Sequence, residues 1–558
     1  MRKRMRIYLI ACSAIIAAFV IFSGMQGEAQ TNPSSAVQSQ VCPQPPAAGS
    51  IVTNPPKIGN LNSSSPVNLT ALKFVPGQDC YLANGNVVAP TLMVNPTQVG
   101  KTIGLNLTNR LTGESNPTTL QNDCILTGGM APSNSTSLHF HGLNVSPQCH
   151  QDEVVKTVIT PNQYFQYQIA IPAKETPGLY WYHPHIHMQS EEQVLSGLTG
   201  AIIVEGIQKF NNRAAQLPER VFVLRDTRLV NTEQKCPYPY GPNCPPAKDI
   251  SINSVPIRYL GNGKYDPAAV IKMKANQEQF WRVANTAADT YFDLQVTYDG
   301  TAQALELVAL DGVPIDTDSG KPQDQTLPVQ HILLPPAARA EFIIKVPGAN
   351  VKEAQLLTLK YNTGSQGDND PKRTIARIDT QEVLSASVAE PATAAVTESE
   401  VDLTQVSGDR FSGLSQITPV KQRTLFFSED ADNFYITVQG NTPKVFAPGA
   451  PPDITVKEGD IEDWIVENRS QEAHAFHIHQ IHFLVLKSSE PNEIGILRDT
   501  INVPSWNGDP NTPYPHVKLR MDFRGAQYGS SIAGTFVYHC HILEHEDKGM
   551  MAKIQVNS

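Results

Sequence analysis

The sequence predicts an all-β protein made of sandwich or barrel domains, and three observations support this prediction. From about residue 61 onward, short apolar runs of strand length alternate with turn residues, for example at 102–107, 164–171 and 342–346. The 43 prolines and 36 glycines are spread along the chain, which is typical of turns between many short strands. Few windows keep a helical period, so a mainly helical fold is disfavoured.

The length of the chain predicts several domains in a row. A chain of 558 residues corresponds to three or four domains at roughly 100–200 residues each. A polar turn near 206–211 marks one boundary, and a stretch rich in Ala, Thr, Ser and Glu over about 383–419 marks another. The resulting prediction is three β domains, at 61–207, 208–385 and 420–558, with a linker at 386–419.

Residues 1–29 have the pattern of a secretory signal peptide. Four basic residues precede an apolar run at 7–25, and Gly27-Glu28-Ala29 fits the small-x-small cleavage pattern. An uncleaved anchor helix is the alternative, because this run is about long enough to span a bilayer. We expect a secreted or periplasmic mature chain without a membrane span, which begins with a flexible leader up to residue 60 that is rich in Pro, Ser, Gln and Asn (30–60).

Composition and charge exclude one class of partner. Hydrophobic residues make up 40% and charged residues 17% of the chain, as is ordinary for a globular protein. The formal net charge is −10 and there is no basic run beyond the N-terminus, which argues against a nucleic-acid partner. The mild excess of acidic residues says little about a substrate.

The cysteines predict disulfides and one metal ligand. Of eight cysteines, Cys12 lies in the signal peptide and Cys540 lies between two histidines. The six that remain form an even set, which indicates three disulfides in an exported protein, although sequence alone does not determine their connectivity. Spacing along the chain favours three pairs: Cys236–Cys244, Cys124–Cys149 and, as the remainder, Cys42–Cys80.

Ten of the 15 histidines fall in four clusters. In a strand, residues i and i+2 point to the same face, so each His-x-His pair projects two imidazoles side by side. Neutral imidazoles suit copper, zinc and iron, and eight of them are too many for one ion but enough for a cluster of three. The four pairs are His139 and His141, His183 and His185, His477 and His479, and His539 and His541.

The His-Cys-His triplet predicts a second metal site. Cys540 points away from its two histidine neighbours and can bind another ion on the opposite face of the same strand. His474 and His545 lie outside the pairs and are free to join it. A Cys and two His with a weak axial Met form the ligand set of a blue copper centre, and Met550 could supply that sulfur. Met551 is the alternative axial residue.

Zinc is the chemical alternative to copper. Zinc prefers four ligands in tetrahedral geometry, which explains neither eight paired imidazoles nor the His-Cys-His triplet. A single His-x-His pair is more often an ordinary pair of surface or core histidines, but four such pairs together with the triplet make coincidence a poor explanation. The five histidines not needed as ligands are His150, His187, His331, His482 and His516.

The four clusters resemble the copper signatures of the multicopper oxidase family, which includes laccases, ascorbate oxidase, bilirubin oxidases and bacterial metallo-oxidases. The resemblance covers most of the mature chain and all four motifs in family order. It implies three cupredoxin-like Greek-key β-sandwich domains. Two residues depart from the family pattern: Ala475 stands where the family often has Pro, and Gln480 where it often has Gly.

The resemblance also implies four copper ions and a ligand set for each kind of site. The type 1 copper takes His474, Cys540 and His545, with Met550 as the axial ligand. The type 2 copper takes His139 and His477. The type 3 pair takes His141, His183, His185, His479, His539 and His541.

Two carboxylates are candidates for proton delivery to O₂. Glu546 directly follows a predicted type 1 histidine, and Asp152 lies in a segment similar to one where the family keeps an acidic residue. Carboxylates near a reaction centre are natural proton donors. The alternative is that both are surface acids or that they only hydrogen-bond the copper sites.

The resemblance implies an enzyme that takes single electrons from a small reducing substrate and reduces O₂ to water. A laccase-like enzyme would oxidise phenols and aromatic amines, whereas a metallo-oxidase would oxidise Cu(I), Fe(II) or Mn(II). The chain has only 10 methionines and no run beyond Met550-Met551, which favours the laccase-like interpretation. We expect the substrate to dock at an exposed edge of His545 or His474. A non-enzymatic electron carrier is the third hypothesis, and it would need only the type 1 site.

Overall fold

The computed structural model describes most of the chain. The described ranges are 42–59, 61–75, 78–95, 98–112, 119–124, 130–230, 236–315, 324–348, 350–380 and 410–558. The predicted signal peptide and residues 386–409 of the predicted linker lie outside these ranges. Within them, the helices are all too short or too polar to cross a bilayer.

The first third of the described chain forms two packed sheets, which we call the first sandwich. Alternate residues of β6 (Thr102–Arg110), such as Ile103, Leu105 and Leu107, point into the core between the sheets because a strand alternates its faces. One sheet has the order β1-β5-β11-β10-β8 and the other β4-β3-β2-β6-β9-β7. The strands are β1 (Lys57–Ile58), β2 (Val67–Val75), β3 (Gln78–Ala83), β4 (Val87–Val88), β5 (Thr91–Val94), β6, β7 (Thr119–Gln121), β8 (His139–His141), β9 (Gln163–Ala170), β10 (Gly178–His183) and β11 (Gly200–Val204), with the helix α1 (Ser190–Leu195) before β11.

The second pair of sheets, the second sandwich, follows a short 3₁₀ helix (Ile207–Lys209) and the helix α2 (Asn212–Ala215). Its strands are β12 (Glu219–Arg228), β13 (Lys248–Ile252), β14 (Val255–Ile257), β15 (Tyr259–Gly261), β16 (Lys264–Tyr265), β17 (Ala269–Lys272), β18 (Glu278–Asn285), β19 (Phe292–Tyr298), β20 (Thr301–Ala302), β21 (Leu305–Leu310), β22 (Val313–Pro314), β23 (Leu327–Val329), β24 (Ile332–Leu334), β25 (Arg339–Lys345), β26 (Ala354–Leu359), β27 (Tyr361–Asn362), β28 (Asn369–Asp370) and β29 (Arg373–Asp379). One sheet has the order β14-β13-β12-β18-β25-β21-β22, with β23 beside β21, and the other has the order β17-β29-β26-β19-β20, with β24 beside β19.

The third pair of sheets, the third sandwich, occupies the region after residue 420. Its strands are β30 (Lys421–Glu429), β31 (Phe434–Val438), β32 (Ile454–Lys457), β33 (Ile461–Asn468), β34 (His474–Ile478), β35 (Phe483–Lys487), β36 (Leu497–Arg498), β37 (Thr500–Val503), β38 (His516–Asp522), β39 (Gly534–Cys540) and β40 (Met551–Asn557). The sheet orders are β31-β30-β33-β38-β35-β36 and β32-β40-β39-β34-β37. The helix α3 (Leu543–Asp547) lies between β39 and β40, and 3₁₀ helices cover Leu414–Gln416, Pro491–Glu493 and Gly525–Tyr528. The all-β prediction is confirmed.

One segment differs from the sequence predictions. Residues 42–58 are not a free leader, because the Cys42–Cys80 disulfide, the pairing of β1 with β5, and a backbone hydrogen bond from Val52 N to Val270 O (2.8 Å) hold them to the body. The described end of the predicted linker is also packed. Phe411 is buried, and Arg410 forms an ion pair with Glu175. All three predicted disulfides are present.

Candidate metal centre

Strand pairing places the first two histidine pairs side by side. β8 and β10 are antiparallel neighbours, and their register puts His139 opposite His183 and His141 opposite Trp181. Between the two histidines of β8, Phe140 points to the other face and packs in the core of the first sandwich. The alternation of a strand therefore separates metal-binding side chains from core side chains in a segment of only three residues.

The third and fourth histidine clusters meet in the same way. β34 and β39 are antiparallel neighbours, with His477 opposite His539 and Phe476 opposite Cys540. Because alternate residues share a face, His477 and His479 point to one side of the sheet, and His474 lies on the side of Cys540. One pair of strands therefore serves two sites, one on each face.

The eight paired imidazoles form one buried cluster where the first and third sandwiches meet. Four come from each sandwich, and each is at most 2% exposed. Ring centroids from opposite sandwiches lie 3.8 Å apart for His139 and His479 and 4.0 Å apart for His141 and His477, in both cases stacked. The other close pairs are His185 with His539 (5.2 Å) and His183 with His541 (5.3 Å).

Donor atoms within this imidazole cluster are close enough to share metal ions. Three sets have ligand atoms that all lie within 4.8 Å of one another. The sets are His139, His477 and His479; His139, His141 and His183; and His185, His479 and His539.

The unpaired nitrogens of the imidazole cluster fit a metal. Among the described residues, buried ring nitrogens without a hydrogen-bond partner include His139 Nε2, His141 Nδ1, His183 Nε2, His477 Nε2 and both nitrogens of His541. A buried polar atom without a partner is costly, so such a concentration indicates a ligand. His479 Nε2 and His539 Nε2 lie 3.2 Å apart, so that one cation could bind the lone pairs of both nitrogens.

Burial also keeps these imidazoles in the form that binds metal. Burial, followed by the charges of neighbouring rings, lowers the pKa of His139 and His479 well below the usual value. The same causes, burial first, lower the pKa of His183 to about 3. A neutral imidazole keeps a lone pair for a metal ion, so the donor set suits copper at neutral pH.

The second nitrogen of many rings is fixed from outside the cluster. His183 Nδ1 donates to Pro184 O (2.8 Å), His477 Nδ1 donates to Asp499 O (2.9 Å), and His539 Nδ1 donates to Cys540 O (3.0 Å). Such hydrogen bonds set the tautomer, so the opposite nitrogen, Nε2, carries the lone pair that faces the cluster.

The two carboxylates predicted from the sequence both contact the imidazole cluster. His139 Nδ1 lies 3.0 Å from both oxygens of Asp152, and His539 Nδ1 lies 3.1 Å from Glu546 Oε2. Burial raises the pKa of Asp152 to about 7. Burial acts in the same direction on Glu546, but the charges of His185 and His539 outweigh it and hold the pKa of Glu546 well below the usual value.

Gln480, which departs from the family pattern, has a role in this geometry. Its φ is +58°, in the left-handed region that a glycine would adopt with less strain. Its side-chain Nε2 donates to Asp152 Oδ2 (2.5 Å), so the side chain holds the carboxylate that contacts His139.

The second site lies on the opposite face of β39. His474 Nδ1 and His545 Nδ1 each lie 3.6 Å from Cys540 Sγ and 3.1 Å from each other. Their Nε2 atoms point outward, to Ser470 Oγ (2.7 Å) and to Glu472 Oε1 (3.2 Å). Both Nδ1 atoms therefore face the sulfur, which gives the Cys-and-two-His set of a blue copper site.

Met550 lies beside this second site. Its N–H donates to His545 O (2.9 Å), and Cys540 N–H donates to Met550 O (3.1 Å). It is fully buried in the same hydrophobic core as Cys540. Met551, the alternative axial residue, packs with Val154 and Val537 on the other side.

One expectation about substrate docking is wrong. His474 is fully buried and His545 is 2% exposed, so neither ring offers an exposed edge. The ring of Phe434 stacks on His545 with centroids 4.2 Å apart and covers it. Sequence reasoning missed Phe434, which lies far along the chain from the histidine clusters, and Glu472, which lies two residues before His474 but is not part of a ligand motif.

The structure also contains a cavity of about 920 Å³ next to the imidazole cluster. It lies between the first and third sandwiches and is lined by His185, Met188, Phe446, Val537 and Met551, among others. His187, which sequence reasoning left without a role as a ligand, lines this cavity.

Two regions of the chain match models of one family. Residues 418–558 and 130–209 each match a model described as multicopper oxidase, and these regions contain all ten clustered histidines. A multicopper oxidase (mco) of Staphylococcus aureus is 24% identical over 479 residues, which cover 85% of this chain and 83% of that protein. A laccase of Bacillus subtilis (strain 168) is 24% identical, over 76% of this chain and 85% of that protein.

Solved structures show the same fold. A multicopper oxidase from Campylobacter jejuni, described as a metallo-oxidase, aligns with a TM-score of 0.61 at 23% identity and covers 92% of this chain and 96% of its own. The McoA multicopper oxidase from Aquifex aeolicus aligns with a TM-score of 0.61 at 18% identity and covers 92% of this chain and 100% of its own.

The cupredoxin-like fold and the two sites are those of multicopper oxidases, which are copper oxidoreductases that act on small substrates with O₂ as acceptor. The chain belongs to the multicopper oxidase family, as its four histidine clusters predicted.

Proposed function

We propose that this protein is a laccase-like oxidase, which removes single electrons from phenols or aromatic amines and reduces O₂ to water with four of them. One observation carries the proposal. The paired strands β34 and β39 carry His474 and Cys540 on one face, where His545 of α3 joins them, and with the residue that follows each strand they supply half of the eight-imidazole cluster on the other face. A simple electron carrier would need the first site alone.

The chain offers places for four copper ions. His474, Cys540, His545 and Met550 would hold a type 1 copper, and the eight paired imidazoles would hold one type 2 and two type 3 ions. Copper supplies one-electron oxidation and reduction at the first site and O₂ binding at the second. Because Cys540 lies between His539 and His541, the two sites are joined by the backbone and side chains of three consecutive residues.

The residues around the imidazole cluster would manage protons. Asp152, whose pKa is raised to about 7, can hold and release a proton beside His139 Nδ1, whereas Glu546, whose pKa lies well below its usual value, is an ionised acceptor beside His539 Nδ1. Both carboxylates are at most 1% exposed, so bulk water does not reach them directly and their protons stay close to the cluster. The burial of the eight imidazoles also limits the access of bulk solvent to the cluster.

A metallo-oxidase is the second candidate, and one acidic group favours it. Glu472 Oε1 lies 3.2 Å from His545 Nε2, on the side of the type 1 site away from the sulfur. Glu429 lies close enough for its charge to interact with Glu472 and His545. Two carboxylates beside a type 1 histidine would attract a metal cation such as Fe(II) or Cu(I).

The deciding experiment is O₂ uptake by the copper-loaded protein with a dimethoxyphenol, Cu(I), Fe(II) and Mn(II) at matched concentrations. Faster uptake with the phenol supports the laccase-like proposal, and faster uptake with a metal ion replaces it with the metallo-oxidase. The variant Glu472→Gln sharpens the comparison, because only a cation donor should lose rate relative to the phenol. A blue protein that consumes no O₂ with any donor would refute both.

We also propose that the protein acts outside the cytoplasm. Support comes from the signal-peptide pattern at 1–29 and from three disulfides, which persist in oxidising compartments. Fractionation of expressing cells, followed by mass spectrometry of the N-terminus, tests both localisation and cleavage.

A further inference from the structure

A third carboxylate, Asp499, lies directly behind the imidazole cluster. Its Oδ1 is 3.3 Å from His141 Nε2, and its backbone carbonyl accepts from His477 Nδ1 at 2.9 Å. These are not the ring nitrogens that lack partners: those are Nδ1 of His141 and Nε2 of His477. Asp499 therefore contacts the outer edges of two imidazoles and leaves their inner nitrogens free.

The position of Asp499 is enforced by the second sandwich. Arg339, at the start of β25, donates to both of its oxygens, at 2.8 Å and 2.7 Å. Both side chains are fully buried. The second sandwich offers no histidine to either predicted site, yet through Arg339 it determines where two ring edges are held.

Gly142 makes room for this ion pair. Its φ is +86°, and a Cβ at this position would lie 2.2 Å from Arg339 Nη2 and 2.7 Å from Asp499 Oδ2. The glycine that follows the first His-x-His pair is thus required by the packing of Asp499 and Arg339 against that pair.

The ion pair continues away from the metal site. Asp311 accepts from Arg498 Nε at 2.6 Å and lies 3.6 Å from Arg339, and Arg498 also pairs with Glu493. Breaking the network at Glu493 leaves every contact of Asp499 with the imidazoles in place. Glu493 therefore offers a matched control for Asp499.

We propose that Asp499 is a positioning residue for the copper cluster: it fixes His141 with Nδ1 inward, and Arg339 holds it there. This rests on the proposed function, because it assumes that copper occupies the imidazole cluster. Asp152, Glu546 and Asp499 each place a buried carboxyl group against a different part of the cluster, and Arg339 balances the charge of Asp499.

The test compares copper binding by the full-length protein and the variants D499N, E493Q and R339Q/D499N. Copper per chain is measured by elemental analysis, the type 1 site by its blue absorption, and the type 2 site by electron paramagnetic resonance. The new amide would point an N–H₂ group at Arg339 or His141, so D499N should keep the blue absorption but lose roughly 10- to 100-fold in copper affinity at the cluster. E493Q should lose stability but keep its copper affinity and resonance spectrum.

The double variant separates positioning from folding. D499N leaves the guanidinium of Arg339 buried without its partner, which destabilises the protein, and R339Q removes that charge. We expect R339Q/D499N to recover much of the melting temperature but not the copper affinity, including when D499N alone does not fold. Recovery of both, or unchanged copper binding in D499N, would overturn the proposal. Failure of the unsubstituted protein to bind copper would instead refute the proposed function.

Discussion

Replacing Gly142 with Ala should lower the free energy of unfolding far more than the same change at a matched glycine. Gly142 has a φ of +86°, and an alanine there costs about 1–2 kcal/mol for left-handed backbone. Its Cβ would also displace Arg339 from Asp499, and breaking a buried ion pair costs about 3–5 kcal/mol. Together, the backbone cost and the broken ion pair should lower the free energy of unfolding by roughly 4–7 kcal/mol.

Gly300 is the control for this prediction. Its φ is +79°, but a Cβ there would meet nothing within 4 Å, so Gly300→Ala should cost only the backbone contribution of about 1–2 kcal/mol. The assay is thermal unfolding of the copper-free proteins, in which 1 kcal/mol shifts the midpoint of a domain of this size by about 2–4 °C. Equal shifts for the two variants would refute the reasoning that Gly142 is required by the ion pair.

Three further predictions test the sites. Replacing Cys540 with Ser should abolish the blue absorption and O₂ uptake together, because the sulfur is the shared atom of the type 1 site; a blue variant would contradict the ligand assignment. Replacing Phe434 with Ala should uncover His545 at a cost of about 0.5–1.5 kcal/mol for the lost ring pair, and lower the KM for bulky phenols in O₂ uptake. A higher KM would mean that Phe434 itself binds the substrate. Burial and the charge of Glu472 raise the pKa of Glu429 to about 7, so its negative charge forms as pH rises through that value. Fe(II) should therefore bind more tightly above pH 7 than below it, and Glu429→Gln should remove this dependence; an unchanged profile would place cation binding elsewhere.

The candidate ligands could be found from the sequence because their spacing obeys strand geometry. A His-x-His pair needs only one strand to present two imidazoles, so no knowledge of the rest of the fold is required. The same rule predicts that the side chain of Cys540 points to the other face of its strand from its two histidine neighbours. The strand pairing agrees with this, because Cys540 lies opposite Phe476 whereas His539 lies opposite His477. The all-β class followed from local patterns of the same kind.

Long-range contacts could not be predicted in this way. Asp499 is 358 residues from His141, and nothing in its neighbourhood, Arg-Asp-Thr, distinguishes it from an ordinary turn acid. The position of Phe434 over His545 depends on how β31 meets α3, which one sequence does not specify. The flexible leader was wrong for 42–58 because composition does not reveal the pairing of β1 with β5.

The methionines show the same limit. The sequence contains no cluster beyond Met550-Met551, which favoured an organic substrate. In the structure, Met130, Met188 and Met551 line one cavity beside His185. Residues dispersed along the chain can share a wall, so the spacing of methionines is weak evidence about the substrate.

The division of the imidazole cluster has a consequence for biosynthesis. Half of its rings come from residues 139–185, and the other half come from residues 477–541. A nascent or truncated chain that stops before β34 has the first half and lacks the partners that would bury it. The complete cluster therefore forms only in a chain that is translated through His541 and folded so that its first and third sandwiches meet.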